Sequence, residues 1–552
     1  MSAGRETEEI DLLATIDPKS GERVWNTHLT PQSNQAQKTL YAKPQAVIPI
    51  VFLPGIMGTN LKARGQDSIV WRPPNGIVDG LSSVFTWIWR GPKTRQTMLD
   101  LRAVEVDSSG PIRVGNSGLS EALARERGWG TVIMGSYHPV MVLMQKELND
   151  IAFFSAGTPL KDPDSRITVQ KEWKNSRMVS PSEYGEVLGL KPLSKEELVK
   201  AALYQFDVWC AGYNWLQSNR DSGEDVKRYI DETVLKHYRD NQVPASKVIL
   251  VTHSMGGLVS RALTELHKYD KVLGVVHGVQ PSTGAPAFYH HARCGYEGAA
   301  QVVLGRNAGE VTSVVANAPG ALELAPSFDY DDGKPWLFLN DAGRKVTTSL
   351  PASGDPYTEI YANPAWYGLV PQENSRYLDM SKNSGGPKSN SRHGFNKNLF
   401  RLSGFHRDIA GKYFSPTHIH YGAESTRHSW QSIEWKGNFE LIGNGYSDNE
   451  NGAYSRYEAT TVGMGLPVMY SVKGVELLPG PYRGGDGTVP ERSGVAPERV
   501  GVESSFRHGD TGKGQHNTRK GYEHQDSYLD RRSQWATLYG VIKIAQLADW
   551  HE

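Results

Sequence analysis

The sequence predicts an α/β protein with a mainly parallel central sheet. Two apolar runs of strand length carry this prediction: Val47–Leu53 ends abruptly at a Pro-Gly pair, and Lys247–Thr252 passes at once into a helical pattern. Strands of a parallel sheet are apolar throughout because helices cover both faces of the sheet. The alternation of such runs with helical segments is typical of this class of fold.

A second strand is predicted over Phe206–Tyr213. The helix after it is predicted from Ser222 and Asp225, which are spaced as a capping pair. Its apolar positions recur at helical spacing, so one face would pack on the sheet. They are Val226, Tyr229, Ile230 and Val234.

After Lys247–Thr252, the next helix would bury one face that contains Leu258, Val259, Ala262 and Leu266. A fourth strand is predicted over Val272–Val279, and a closing helix over Arg532–Trp550. Strands that follow one another through helices in this way are joined by right-handed crossovers.

The elements divide the chain into one discontinuous core and two long insertions. Residues 1–44 are polar and without helical or strand periodicity, so a loosely structured lead-in is predicted there. The core is assigned to residues 45–60, 204–280 and 416–552, and residues 61–203 and 281–415 are assigned to cap or lid insertions. These insertions are too long to be ordinary loops.

The composition argues against several classes of protein. The chain has 60 Lys and Arg residues and 60 Asp and Glu residues, so it lacks the positive field that nucleic-acid binding requires, and no nucleic-acid partner is expected. A mean hydropathy of −0.49 indicates a soluble globular protein. The start of the chain has no Sec signal pattern, and no window is apolar enough for a spanning helix. Two cysteines, Cys210 and Cys294, are too few for a disulfide scaffold, although one bridge stays open.

The strongest chemical signal is the segment Val251–Leu263, VTHSMGGLVSRAL. A nucleophilic serine on a tight strand-to-helix turn needs small residues on both sides of it, and Ser254 is followed by Gly256 and Gly257. Thr252 stands where the motif usually has glycine. Ser254 is the predicted nucleophile, and the alternative is a serine that only caps the helix.

A serine nucleophile also needs donors for the oxyanion. The loop after the first strand, PGIMG, lets backbone N–H groups face a cavity because of its glycines. We predict that the N–H groups of Ile56 and Met255 form the oxyanion hole. The alternative is an ordinary glycine-rich turn.

The acid and the base are predicted from their order along the chain. Asp486 lies between glycines, after the nucleophile and before the late histidines, as in the order Ser, Asp, His. His524 directly precedes the closing helix and is the predicted base. His508 is kept as an alternative, and His516 lies in the same polar stretch as His508.

Patterns for other chemistries are weak. The chain has no P-loop, no His-Glu-x-x-His and no Cys-x-x-Cys pattern. The acidic stretches Asp329–Gly333 and Ser447–Gly452 resemble calcium loops only loosely, and solvated turns are the preferred interpretation. We therefore predict neither a metal nor a cofactor.

Four motifs in this order, PGIMGTNL, GYNW, THSMGG and GDGTVP, resemble the α/β-hydrolase lipases of the lecithin:cholesterol acyltransferase and GPI-inositol-deacylase-like branch. Within that branch, the long insertions and the absence of a signal peptide look most like the antibacterial phospholipase effectors of the type VI secretion system. The resemblance covers about half of the chain and is more specific for the fold than for the substrate.

This resemblance implies an α/β-hydrolase fold and a phospholipase A-type serine hydrolase, which would cleave lipid esters through an acyl-serine at the membrane surface. It also implies a lid, a cognate immunity protein, a secretion-apparatus partner, and release from the producing cytoplasm into the periplasm of a target cell. Two alternatives stay open: a non-toxic esterase or GPI-type deacylase of the same fold, and a hydrolase-like binding module without activity.

Aromatic residues of the first insertion are candidates for a surface that contacts lipid. Trp71, Phe85, Trp87 and Trp89 are candidates for a substrate or lid patch, and Pro364–Pro371 is a second candidate. The alternative is that these rings fill the core of the cap. With no net charge on the chain, membrane contact would depend on such rings.

Overall fold

The computed structural model describes the central parts of the chain and both of its flanks. The described residues are 10–21, 23–28, 37–41, 46–73, 90–156, 167–171, 173–174, 179–296, 305–379, 390–439, 455–457, 469–472, 475–480, 484–509 and 520–549.

Twenty strands lie in these ranges. In chain order they are β1 Ile10–Ile16, β2 Arg23–His28, β3 Gln37–Tyr41, β4 Val47–Leu53, β5 Leu61–Ala63, β6 Ile69–Trp71, β7 Val104–Val106, β8 Ala152–Ala156, β9 Ile167–Val169, β10 Gln205–Cys210, β11 Val248–His253, β12 Val272–Gly278, β13 Leu337–Asp341, β14 Val346–Leu350, β15 Thr417–Ala423, β16 Ile433–Gly437, β17 Ser455–Tyr457, β18 Met469–Val472, β19 Val475–Pro479 and β20 Ser504–Gly509.

The described α-helices are α1 Pro92–Met98, α2 Glu121–Glu126, α3 Met134–Glu147, α4 Lys195–Ala202, α5 Asn219–Tyr229, α6 Leu235–Asp240, α7 Gly256–Arg261, α8 Ala287–Cys294, α9 Ala308–Val315, α10 Pro319–Leu322, α11 Asn390–Ile409, α12 Glu491–Gly494 and α13 Arg531–Ala545. Shorter 3₁₀ or π turns lie at Trp129–Thr131, Pro181–Tyr184, Ile230–Val234, Ala262–Leu266, Tyr330–Gly333, Tyr357–Tyr361, Gln372–Tyr377, Ala496–Val500 and His524–Leu529. None of the helices among the described residues combines the length and the apolar character needed to span a bilayer.

A six-stranded parallel sheet with the order β10-β4-β11-β12-β15-β20 forms the centre of the fold. All seven residues of β4 are buried, and they alternate between the two faces of the sheet. Val47, Val51 and Leu53 pack into the core on one face, and Ile48, Ile50 and Phe52 into the core on the other. The predicted α/β fold with a mainly parallel sheet is confirmed.

The helix after β10 begins earlier than predicted. Ser218 is its N-cap and accepts the backbone N–H of Arg220, so the helix starts at Asn219. Ser222 lies inside the helix and is fully buried. The prediction of a cap at Ser222 was therefore wrong. Ser222 and Asp225 have the spacing of a capping pair, but Ser222 lies within the helix and packs against the core.

The first segment of the chain contains more regular structure than predicted. β1, β2 and β3 pair antiparallel with one another, and β1 also pairs with β8, which pairs with β9. The described part of this segment, residues 10–21, 23–28 and 37–41, is therefore not merely a loose lead-in. The partner strand β8 lies more than a hundred residues away, so a local pattern does not reveal this pairing.

Part of the first insertion covers the central sheet. On α3, the side chain of Gln145 accepts the N–H of Val208 at 2.9 Å, and Trp129 donates its indole N–H to the Val208 carbonyl at 2.9 Å. These bonds pair the backbone N–H and carbonyl of Val208 at the outer edge of β10. None of the described strands covers this edge of the sheet. The segment around α3 thus belongs to the core layer rather than to a cap.

A second six-stranded sheet, with the order β14-β13-β16-β19-β18-β17, joins the second insertion to residues after 416. The predicted boundary at residue 416 therefore separates strands that share one sheet. Cys210 and Cys294 are both buried and form no disulfide with each other.

Five buried histidines make the fold sensitive to acid. Burial lowers the pKa of His138 and His406 from 6.5 to about 4, and that of His277, His418 and His420 to about 3. Between pH 6.5 and these values the unfolded chain binds protons that the folded chain does not, so stability falls as the pH falls. Each histidine should cost about 2 kcal/mol of stability by pH 5.

Urea unfolding at pH 7.5, 6 and 5 measures this effect, and the midpoint should fall steeply below pH 6.5. Glu323 acts in the opposite direction, because burial raises its pKa to about 7. One carboxyl does not offset five imidazoles. A midpoint that is constant from pH 7.5 to 5 would contradict the prediction.

Candidate active site

Ser254 occupies a strained turn between β11 and α7. Its φ angle is 52°, and its N–H donates to the carbonyl of Gly278 at 2.9 Å. A Cβ on Gly256 would lie 2.5 Å from the Leu53 carbonyl oxygen. Only glycine fits there, which explains the small residue two positions after the serine.

Thr252, two positions before the serine, is accommodated where the motif usually has glycine. It is fully buried, and its hydroxyl is hydrogen-bonded to Nδ1 of His277 at 3.0 Å. Its carbonyl accepts the hydroxyl of Tyr528 at 2.8 Å. The threonine is therefore tolerated in place of glycine, because its polar groups are hydrogen-bonded in the core.

The structure brings the predicted nucleophile, base and acid into one hydrogen-bonded series. The Ser254 hydroxyl lies 2.8 Å from Nε2 of His524, and Nδ1 of His524 lies 2.7 Å from Oδ2 of Asp486. Their exposed fractions are 4%, 9% and 1%. A carboxylate on Nδ1 places the ring hydrogen there, so Nε2 is free to accept the serine proton.

Backbone groups hold Asp486 in this position. Its Oδ1 accepts the N–H groups of Thr488 at 3.1 Å and Val489 at 2.7 Å, and its carbonyl accepts the N–H of His524 at 2.9 Å. On β15, a Cβ at Gly422 would lie 2.6 Å from the Asp486 Cβ, so glycine makes room for the acid.

The alternative base, His508, lies elsewhere. It is fully buried at the end of β20 and is hydrogen-bonded to the Tyr522 hydroxyl at 2.9 Å and the Tyr184 carbonyl at 3.1 Å. His508 is therefore not in a solvated loop, although its neighbours in the sequence are polar. His516 lies outside the described residues.

The loop of residues 54–58 lies next to Ser254 and includes Ile56. Trp71 donates its indole N–H to the carbonyl of Met57 at 2.8 Å, and Met57 has a φ of 62°. Tyr213 donates to the Pro54 carbonyl at 2.7 Å. The other predicted oxyanion donor, Met255, follows Ser254 and begins the turn of α7.

A cavity of about 690 Å³ opens above Ser254. Apart from the groups of the hydrogen-bonded series, most of the side chains around it are apolar. The lining includes Ile56, Met57, Trp71, Ile133, Ala285, Phe288, Tyr296, Val315, Leu324, Trp430 and Val489. Such a volume lies within the range of about 300–1,000 Å³ that is typical of small-molecule sites.

The predicted aromatic patch is only partly described. Trp71 is 2% exposed, packs edge-on against Trp215 at 5.4 Å and lines the cavity. Phe85, Trp87 and Trp89 lie outside the described residues.

In the second aromatic candidate, residues 364–371, Trp366 packs edge-on against Trp435 at 5.4 Å and Phe439 at 4.9 Å. Leu369 and Val370 are buried. This segment therefore packs largely into the core, beside strand β16 of the second six-stranded sheet.

Arginines neutralise the first acidic stretch. Asp331 is paired with Arg492, and Asp332 with Arg499. The second stretch, residues 447–452, lies outside the described residues. Within the described ranges, no group of three or more His, Cys, Asp or Glu side chains is arranged to hold a metal ion.

Sequence reasoning missed two residues at this site, Tyr137 and His253. The hydroxyl of Tyr137 lies 3.1 Å from Nδ1 of His253, both side chains are buried, and His253 also lines the cavity. His253 directly precedes the nucleophile, and this position in the sequence was a signal of a role at the site. Tyr137 lies in α3, within the insertion, and no local pattern indicates its role.

The chain is similar in sequence and fold to known proteins. The family described as PGAP1-like alpha/beta domain matches residues 220–297, which include Ser254. A chain in the crystal structure of the Tle4–Tli4 complex is 49% identical and superposes with a TM-score of 0.81, over 92% of this chain and 100% of that one. No curated protein matches the chain.

Proposed function

The chain has a PGAP1-like α/β-hydrolase domain and belongs to the family of the chain to which it is 49% identical in the Tle4–Tli4 complex, and from this premise we propose that it is a serine-dependent phospholipase of the A type. The observation that carries the proposal is the hydrogen-bonded series Ser254, His524 and Asp486 beneath an apolar cavity. A serine hydroxyl becomes an effective nucleophile when an adjacent base accepts its proton.

In the proposed reaction, His524 Nε2 takes the proton of Ser254 as Oγ attacks the ester carbonyl. Asp486 stabilises the imidazolium that forms. The imidazolium then protonates the departing lysophospholipid alcohol, which leaves an acyl-serine. Water, deprotonated by His524, attacks this ester, and collapse of the second tetrahedral intermediate releases the fatty acid and restores the serine proton.

The oxyanion of each tetrahedral intermediate needs fixed donors. We assign this role to the backbone N–H groups of Ile56 and Met255. Ile56 lies in the loop that Trp71 and Tyr213 anchor through their hydrogen bonds to neighbouring carbonyls. Donors on a fixed loop do not have to reorganise as charge develops, which is why they lower the barrier.

The cavity supports a lipid as the acyl donor. Its walls carry Trp71, Phe288, Tyr296 and Trp430, and apolar walls stabilise an acyl chain by removing it from water. The proposed substrate is therefore a phospholipid presented at a membrane surface, with its ester carbonyl above Ser254 and one acyl chain in the cavity.

The relative also supports a protein partner, because Tle4 occurs in a complex with Tli4. We propose that a cognate immunity protein binds this chain in the producing cell. We further propose that the type VI apparatus delivers the chain into the periplasm of a target cell, where its lipid substrate is accessible.

Product analysis tests the reaction. Vesicles of phosphatidylethanolamine and phosphatidylglycerol, incubated with the protein in H₂¹⁸O, should yield lysophospholipid and fatty acid in equal amounts. Mass spectrometry should find the ¹⁸O label in the fatty acid, because water attacks the acyl-serine. Ether-linked phospholipids have no ester carbonyl and serve as the control that should remain intact. Loss of the head group with both acyl chains retained would contradict the proposal.

A further inference from the structure

A buried tyrosine and histidine connect the loop of residues 54–58 with the backbone of His524. The N–H of Gly55 donates to the hydroxyl oxygen of Tyr137 at 3.1 Å. That oxygen lies 3.1 Å from Nδ1 of His253, whose Nε2 lies 3.1 Å from the carbonyl oxygen of His524. Three hydrogen bonds thus form a bridge that runs from Gly55 through Tyr137 and His253 to His524.

The direction of each hydrogen bond follows from the chemistry of its partners. A carbonyl oxygen only accepts, so Nε2 of His253 must carry a hydrogen. Burial and the neighbouring His524 hold the pKa of His253 well below its usual value, so the ring is neutral and Nδ1 accepts. Burial raises the pKa of Tyr137 to about 12, so its hydroxyl stays protonated and donates to His253.

Close packing leaves the bridge little freedom. Tyr137 and His253 are fully or almost fully buried, and their ring centroids are 5.3 Å apart. A Cβ at Gly55 would lie 2.8 Å from Nδ1 of His253, and a Cβ at Gly58 would lie 2.6 Å from the Tyr137 hydroxyl. The glycines of the PGIMG motif therefore allow the loop to approach the bridge.

We infer that Tyr137 and His253 are positioning residues, which hold the loop that carries the Ile56 N–H and the backbone of His524 at a fixed separation. This inference rests on the proposed function, because it assigns the two ends of the bridge to the oxyanion hole and the base. Neither residue contacts a reacting atom in this role. The bridge acts by keeping the donor and the base at fixed positions relative to each other.

A small displacement at either end should slow the reaction. Misplacement of catalytic groups by about 1 Å can cost on the order of 10²-fold in rate. Ground-state lipid binding depends on the apolar walls of the cavity. Gly55 and His253 line this cavity, but Tyr137 does not, so a change at Tyr137 breaks the bridge without altering the cavity walls. Loss of the bridge should therefore lower kcat and leave KM nearly unchanged.

The first test is Tyr137→Phe, which removes the hydroxyl and retains the ring. We expect kcat for phospholipid hydrolysis to fall by roughly 10-fold to 100-fold, with KM within about twofold of the wild-type value. The rate at which a fluorophosphonate labels Ser254 should fall in parallel, because phosphonylation uses the same serine, base and oxyanion donors. All rates are divided by the concentration of folded protein, which is determined by circular dichroism.

A double-mutant cycle tests whether the two residues act as one unit. In His253→Gln the side-chain amide can still donate to the His524 carbonyl but offers Tyr137 no acceptor in the place of Nδ1. The bridge is already broken in this variant, so adding Tyr137→Phe should cost little more. Losses in kcat that multiply in the double variant would overturn the inference.

The matched control is Tyr361→Phe. Tyr361 is also fully buried, and its hydroxyl donates to the Pro326 carbonyl at 2.6 Å, but it does not line the cavity. This variant should retain the wild-type kcat. Equal activity of Tyr137→Phe and Tyr361→Phe would overturn the inference and leave the proposed function intact, whereas a wild-type protein without lipid hydrolysis would contradict the proposed function itself.

Discussion

Replacement of Ser254 by Ala should lower kcat for phospholipid hydrolysis by on the order of 10⁶-fold, as loss of the nucleophilic serine does in a serine protease. The alanine cannot form the acyl-enzyme, and His524 then has no hydroxyl within 2.8 Å from which to take a proton. Release of fatty acid from vesicles, measured by mass spectrometry, checks this prediction. Turnover at a tenth of the wild-type rate would exclude Ser254 as the nucleophile.

The substitution should leave the fold intact. Serine and alanine both carry a Cβ, so the strain of a φ angle of 52° is the same before and after the change. Ser313→Ala is a suitable control, because Ser313 is also buried and donates to a carbonyl of its own helix. The same pair of variants tests toxicity: in the periplasm the wild type and Ser313→Ala should stop growth, and Ser254→Ala should not.

Asp486→Asn should lower kcat by about 10⁴-fold with little change in structure. The Oδ1 atom can still accept the N–H groups of Thr488 and Val489, so the loop remains in place. The amide then presents N–H instead of an acceptor to Nδ1 of His524. The ring therefore takes the other tautomer, and Nε2 carries a hydrogen that faces Ser254.

Steady-state hydrolysis from pH 6 to 10 measures this effect. Asp526→Asn makes the same chemical change on an exposed side chain two residues from His524 and should keep full activity. If Asp486→Asn and Asp526→Asn were equally active, the acid would have to be assigned to another residue.

The fold class followed from local patterns because buried parallel strands are apolar over their whole length. Val47–Leu53 is a strand with the predicted bounds, and the strand at Val272 begins where predicted. The strands of the first 41 residues escaped prediction. Among them, β1 pairs with β8 through backbone hydrogen bonds to a distant segment, and a local sequence window does not contain that segment.

The insertions were harder to interpret for the same reason. The helix α3 has no strong apolar periodicity to distinguish a core helix from a cap helix, and only its contacts with β10 place it against the sheet. The second insertion and residues after 416 meet in a shared sheet through the parallel pairing of β13 with β16. Chain order does not predict such a pairing.

The sequence by itself determined the α/β-hydrolase fold and the lipase family, and it proposed Ser254 because a nucleophile turn requires small neighbours at fixed spacing along the chain. The sequence favoured His524 over His508 because His524 precedes the closing helix, but both histidines follow Asp486 and the alternative stayed open. The tertiary structure places His524, and not His508, within hydrogen-bond distance of Ser254. Only the tertiary structure placed Tyr137 beside His253. Hydrogen bonds depend on distance in space, and the packing of α3 against the sheet brings together residues that lie 116 positions apart.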